Sequence, residues 1–355
     1  MECPFIRNLG DLLDRARQQQ GGMLDAMGLG PVETPFRTVL SMPAFTLRAY
    51  GYDGLDGPAV LIVPAPIKRG YIWDLAPQAS AVRRLLGSGI RVYLIWWESP
   101  GTDEQGLGLA DYAERSILSC LSAMSADLGG EQPFLAGHSL GGTFAAIFAS
   151  LYPDMLQGIA LLGAPLRFGP GVGDIDSLVA RCPDVRVFTG LLGNVPGSFI
   201  SAASTLASPS SFQVQRWSDW FGSLFDIRLM QMHLRVVRWT LDELAMPRLL
   251  FEEIMELLYR EDRFMKGTLK IGGKTADPRK VDAPILTVAD RRSTVVPPQA
   301  SLPLHDASGS ADTRVVWYRG DAGVALQHAG MLVGKGAHRY LWPEITGWFH
   351  AHRAA

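Results

Sequence analysis

Two apolar rhythms alternate along the first half of this chain. Short runs of consecutive apolar residues, rich in β-branched types, occur at PAVLIVP (58–64) and IRVYLIWW (90–97), and PFLAGHS (133–139) and IALLGAP (159–165) read as the next strands. Such runs fit strands buried on both faces of a parallel sheet. Between them, DLAPQASAVRRLLGSG (74–89), LADYAERSILSCLSAMSADLG (109–129) and GGTFAAIFASLYP after Ser139 have helical spacing. This order predicts βαβ units with right-handed crossovers: an α/β fold with a mostly parallel central sheet and helices on both faces. Ahead of it, residues 1–34 read as an N-terminal helical segment. One or two short helices are expected there, with Leu9, Leu12, Leu13 and Ala16 on one face and Gly21-Gly22 interrupting the run.

The rhythm breaks after residue 165. Residues 166–280 hold helical stretches such as DELAMPRLLFEEIMELLYRED and few strand-like runs, whereas APILTVAD (283–290) and TRVVWYRG (313–320) resume the strands and ITGWFHAH (345–352) closes with a helix. The expected division is therefore a core of residues 35–165 and 281–355, with residues 166–280 inserted as a largely helical cap.

Composition narrows the classes. With 355 residues, 47% of them apolar and 19% charged, the chain has the makeup of a globular protein. A net charge of −2 without a basic stripe argues against a nucleic-acid partner. Cys3, Cys120 and Cys182 are too few to frame disulfides and suit a reducing compartment. The first residues lack the apolar stretch of a signal peptide, and no run of eighteen apolar residues occurs, so a cytoplasmic protein without a membrane span is expected. C-x-x-C and H-E-x-x-H spacings are absent; no metal and no cofactor are expected. A homodimer is one assembly left open.

The sharpest chemical signal is Gly137-His138-Ser139-Leu140-Gly141, followed by Gly142. A G-x-S-x-G sequence between a strand and a helix is the nucleophile elbow of the α/β-hydrolase fold: the turn is so tight that the serine's neighbours must be small, and its hydroxyl projects at the end of the sheet. The Leu140 N–H, at the start of a helix, is suited to hold an oxyanion. The second donor is expected in the loop after PAVLIVP, at Ile67 or, as the alternative, Ala65, because Pro64 and Pro66 have no N–H.

A serine hydroxyl needs a base, and this fold orders its triad Ser, acid, His. His328, in the loop after TRVVWYRG, is the expected base, whereas His338, His350 and His352 fall on later helical stretches. Asp290, ending the strand PILTVAD, is the expected acid, with Glu98 a more distant alternative. His138, beside the nucleophile, and the cap tryptophans Trp217, Trp220 and Trp239 are candidates for the substrate pocket, against the plainer reading that they pack the interior.

Five stretches carry a resemblance: PIKRGYIWDLAPQASAVRRLLGSGIRVYLIWWESP, GHSLGGTFAAIFASLYPD, RWTLDELAMPRLLFEEIMELLYREDRFMKGTLKIGG, VDAPILTVAD followed by VVPP, and HAGMLVGKGAHRYLWPEITGWF. Over roughly residues 35–350 the chain resembles the poly(hydroxyalkanoate) synthase family of α/β-hydrolase proteins. The resemblance implies His328 as base and a cap over a site for acyl-coenzyme A thioesters. Three positions depart from that family. Ser139 stands where the synthases have cysteine, Ser293 or Thr294 falls where their aspartate precedes V-P-P, and Trp96-Trp97 replaces Asp-Trp.

A thiolate is both a good nucleophile and a good leaving group, which suits repeated exchange of a growing chain. A serine ester suits a single acylation followed by transfer. The expected function is therefore serine-dependent acyl transfer, as an acyltransferase or thioesterase acting on coenzyme A or carrier-protein thioesters or activated esters. The alternatives are a carboxylic-ester hydrolase for polyesters or lactones, and a non-catalytic binding protein on the same fold.

Overall fold

The computed structural model describes residues 4–51, 55–182 and 184–354. Cys3 lies outside them. Cys120 and Cys182 are free thiols, Cys120 buried. Among the described residues no helix is long and apolar enough to cross a membrane.

Eight strands form the main sheet: β1 (Phe36–Met42), β2 (Phe45–Tyr50), β3 (Ala59–Val63), β4 (Arg91–Trp97), β5 (Phe134–His138), β6 (Gly158–Leu162), β7 (Ile285–Asp290) and β8 (Thr313–Tyr318). Their order is β1-β2-β4-β3-β5-β6-β7-β8. Strand β2 runs antiparallel to β1 and β4, and every other pairing is parallel. All five residues of β3 are buried, as the unbroken apolar run predicts. Side chains of alternate residues serve two cores. Leu61, Val63 and Leu135 pack with Phe144 and Phe148 on one face, while Val60, Ile62 and Phe134 pack on the other face with Trp348 and Phe349. Each such large side chain, fully withdrawn from water, contributes about 1.5–3 kcal/mol.

The helices are α1 (Pro4–Ala26), α2 (Ala81–Gly87), α3 (Ser116–Leu128), α4 (Leu140–Leu151), α5 (Asp174–Arg181), α6 (Val185–Leu192), α7 (Gly197–Ala207), α8 (Gln215–Ser223), α9 (Ile227–Thr240), α10 (Arg248–Glu253), α11 (Pro298–Ser301), α12 (Pro303–Ala307), α13 (Gln327–Val333) and α14 (Trp342–Ala351). Helices α5–α10 fall between β6 and β7, with a small hairpin of Leu269–Ile271 and Lys274–Ala276.

Two local expectations are corrected. Gly21-Gly22 does not divide the first helix, because α1 is continuous and lies against α9. A Cβ at Gly21 would sit 2.9 Å from the Arg238 guanidinium, so the glycine serves close approach. The helix expected over 74–89 starts only at Ala81, where Ser80 accepts a capping bond from the Arg83 N–H. Residues Asp74–Ala76 and Ala79–Ser80 pair as short strands instead.

The N-terminal helix, cap and core meet at Glu243. This buried carboxylate accepts bonds from Arg17 of α1 (2.8 and 3.0 Å), from Lys68 in the loop after β3 (3.1 Å) and from Ser201 of α7. Burial alone would raise its carboxyl; Lys68, Ser201 and Arg17 outweigh burial and hold it below the usual range. Lys68 is pushed down to about 8 because burial outweighs the attraction of Glu243. Glu243→Gln leaves both cations without their counter-charge and is expected to lower stability by about 3 kcal/mol, the low end for breaking a buried pair since Arg17 is partly solvated. A shift of the urea midpoint at constant slope is the readout; an unchanged midpoint refutes the node.

Candidate active site

The elbow at the end of β5 is built from three close approaches. A Cβ on Gly141 would lie 1.9 Å from the Val63 carbonyl oxygen, one on Gly137 2.5 Å from the Gly142 backbone, and one on Gly142 2.5 Å from the Ala164 side chain. Only glycine fits at these positions. The strand-to-helix reversal then falls on Ser139, with φ 56° and ψ −133°, a region that costs a non-glycine residue on the order of 1–3 kcal/mol. It is held by its N–H bond to Leu162 O (3.0 Å) and by the Gly142 and Thr143 N–H groups on its carbonyl (2.9 and 3.3 Å). Leu140 opens α4, whose first amides have no carbonyl partner within the helix.

Ser139 lines a cavity of about 770 Å³ together with His328, His138, Ala65, Ile67 and Trp239, within the size range of small-molecule sites. The loop after β3 is fixed from two sides: the Trp97 indole N–H donates to Pro64 O (2.7 Å) and the Trp239 indole N–H to Arg69 O (2.8 Å). Trp97 thus anchors the loop carrying Ala65 and Ile67.

His328 lies over Gly163, where a Cβ would meet its ring at 3.0 Å. Its ring stacks obliquely on that of His138, centroids 4.4 Å apart, and His138 Nε2 donates to the His328 carbonyl (2.9 Å). That acceptor requires the proton on Nε2, so the Nδ1 of His138 is a free acceptor. Burial pushes His138 down to about 4 despite this bond. His328 is held well below the ordinary histidine value, first by desolvation and then by His138. Both His328 ring nitrogens are shielded from solvent and have no hydrogen-bond partner. Ser139 and His328 therefore share the cavity, but no bond joins them in this state.

The expected acid does not reach the histidine. Asp290, the last residue of β7, is buried, and its Oδ1 accepts from the Arg292 N–H (2.9 Å) and Nε (3.5 Å). The carboxylate caps the turn two residues ahead, a habit of aspartate at strand ends. Ser293 Oγ accepts from the Val296 N–H, and Thr294 Oγ1 bonds Ser208 and Ser211, so neither supplies a carboxylate. Glu98 bonds Arg69 and Thr46. Two of the expected pocket residues lie outside the Ser139 cavity: Trp217 is 63% exposed, and with Trp220 it lines a neighbouring groove that shares Phe212 and Arg216 with that cavity. The α8 face carrying Trp217 points outward, while Trp220 packs on His233 (5.3 Å).

Sequence reasoning missed Asp219 and His233. Asp219 of α8 accepts from His233 Nδ1 (2.8 Å) and from the N–H groups of Gly323 (2.6 Å) and Ala325 (2.8 Å). Burial raises its carboxyl, and these bonds outweigh burial and hold it below the usual range. The cap thereby clamps the segment leading into His328, including Ala325 at φ 55°. A separation of more than a hundred residues leaves no local signal for such a contact.

The sheet order and the elbow define an α/β-hydrolase-fold protein, and residues 58–180 match the family described as alpha/beta hydrolase fold. Within that class, the sequence relatives are poly(3-hydroxyalkanoate) polymerase subunits. The chain is 30% identical to subunit PhaC of Haloferax mediterranei, over 82% of this chain and 58% of that protein. It is 27% identical to subunit PhaC of Thiocystis violacea, over 96% of each. The fold is also that of a soluble variant of monoglyceride lipase from Saccharomyces cerevisiae (TM-score 0.54, 13% identity, 92% and 97% covered) and of an enol-lactonase from Burkholderia xenovorans (0.51, 12%, 88% and 99%). The sequence relatives and the family match support acyl-transfer or esterase-type chemistry in the coarse sense, and the solved structures show the fold.

Two outcomes follow. Asp219→Ala should slow fluorophosphonate labelling of Ser139 about tenfold, equivalent to ~1.4 kcal/mol, while circular dichroism still shows a folded chain; undiminished labelling removes the clamp from the site's workings. Because the depressed pKa of His328 keeps its ring neutral as pH falls through 6.5, labelling should persist on acidification, with its acid midpoint below 6.5. A midpoint at 6.5 or above contradicts the shielded ring.

Proposed function

We propose that the protein transfers acyl groups through an ester of Ser139, taking them from a thioester of coenzyme A or a carrier protein, or from an activated ester. The observation that carries this reading is the strained Ser139 at the wall of a cavity that the His328 residue also lines. Ser139 Oγ attacks the carbonyl carbon as its proton passes to an unpartnered nitrogen of His328. The tetrahedral oxyanion is held by the Leu140 and Ile67 N–H groups, each donor worth about 2.7–4 kcal/mol. Collapse breaks the bond to the leaving thiol or alcohol, which takes the proton from His328. An acceptor then attacks the ester carbon as it gives its proton to the same imidazole, and collapse breaks the Ser139 Oγ–acyl bond, Oγ taking the proton back from His328.

Among the described residues no carboxylate bonds the His328 ring, so His328 is a weak base, and an acyl-enzyme slow to meet water is expected. That favours transfer to an alcohol or amine over hydrolysis; polyester or lactone cleavage is the competing outcome. The unpartnered His328 also favours a second reading, a binding protein without turnover.

Intact-protein mass spectrometry with a panel of acyl thioesters and p-nitrophenyl esters distinguishes these. A mass gain of one acyl group, absent in Ser139→Ala and discharged by an added amine or alcohol, is expected. Rapid turnover in buffer alone identifies the hydrolase. Wild-type protein that gains no mass and resists a fluorophosphonate identifies the binding protein.

A further inference from the structure

The charge lining the cavity is one-sided. Among the described residues it presents Arg17, Lys68, Arg69 and Arg216, and neither an aspartate nor a glutamate. Three of these cations are engaged: Arg17 and Lys68 share Glu243, and Arg69 bonds Glu98 (3.4 Å) and Trp97 O (3.1 Å). Arg216, in α8, is half-buried and has neither an ion pair nor a hydrogen bond among the described residues. Its charge is disfavoured by burial and by the nearby charge of Arg17. A guanidinium partly withdrawn from water without a counter-ion is destabilising, and the polar wall holds a second unmet group, the buried Ser198 Oγ.

We infer that Arg216 receives a carboxylate carried by the acyl chain, making the substrate a dicarboxylic acid activated at one end. This rests on the acyl-Ser139 reading. A single free guanidinium fork matches one carboxylate in a bidentate pair. The fork of Arg17 is spent on Glu243, so a doubly charged phosphate would find too few free donors. Apolar side chains that include Ile72, Leu206, Phe212 and Leu326 also line the cavity and suit a run of methylene groups between the two ends. An electropositive chamber with low-dielectric walls also raises the local concentration of an anionic substrate.

The test compares p-nitrophenyl hydrogen suberate with p-nitrophenyl octanoate. The ratio of kcat/KM, anionic over neutral, should be about ten in the wild type, about one in Arg216→Met and intermediate in Arg216→Lys. A wild-type ratio of one or below, or one that Arg216→Met leaves unchanged, overturns the inference. If instead glycine discharges the acyl-enzyme faster than glycinamide and the ester ratio is flat, the carboxylate belongs to the acceptor and the acyl-chain assignment falls. Ser139→Ala separates this inference from the reaction. Tryptophan fluorescence should show monomethyl suberate binding about tenfold tighter than methyl octanoate, with the preference lost in Ser139→Ala/Arg216→Met. Preferential binding without turnover in the wild type would defeat the acyl-transfer reading and leave the anion site standing; equal binding of the two ligands overturns the anion site itself.

Discussion

Helix α4 begins so close to β3 that a single methyl group at position 141 would collide with the Val63 carbonyl. That approach forces the chain to reverse direction within one residue and leaves Ser139 with a backbone conformation few side chains tolerate. The strain is affordable because the flanking segments are over-determined: β5 is paired on both sides, and every residue of α4 is buried. The serine's exposure to the cavity thus follows from packing elsewhere, not from a flexible loop.

Two carboxylates then tie the insertion to the core. Glu243 binds cations from α1 and from the loop after β3, while Asp219 grips the backbone before His328. One lies beside the expected oxyanion loop and the other beside the expected base. The segment between β6 and β7 is thereby bonded both to the loop that carries Ile67 and to the backbone before His328.

Much of this was legible in the chain. Continuous apolar runs marked β3 to β8, because strands buried on both faces need no polar alternation, and the glycine spacing around Ser139 marked the elbow because its sterics are local. Asp290 was misjudged as a partner of His328 for an equally local reason: a strand-end aspartate finds the N–H two residues ahead before it finds a distant ring. The outward face of Trp217 could not be read from composition, since an aromatic residue on an amphipathic helix can face either way. Contacts such as Asp219 with Gly323 and Arg17 with Glu243 join residues far apart in sequence, and only the tertiary arrangement reveals them.

Leu13, Ala16, Arg17 and Gln20 place one side of α1 in the wall of the cavity. Helix α1 is therefore part of the chamber beside Ser139. Trimming it, or exchanging it with that of a relative, would redraw the chamber's volume and polarity while leaving the sheet intact, which makes this helix a handle for re-engineering selectivity without disturbing the serine.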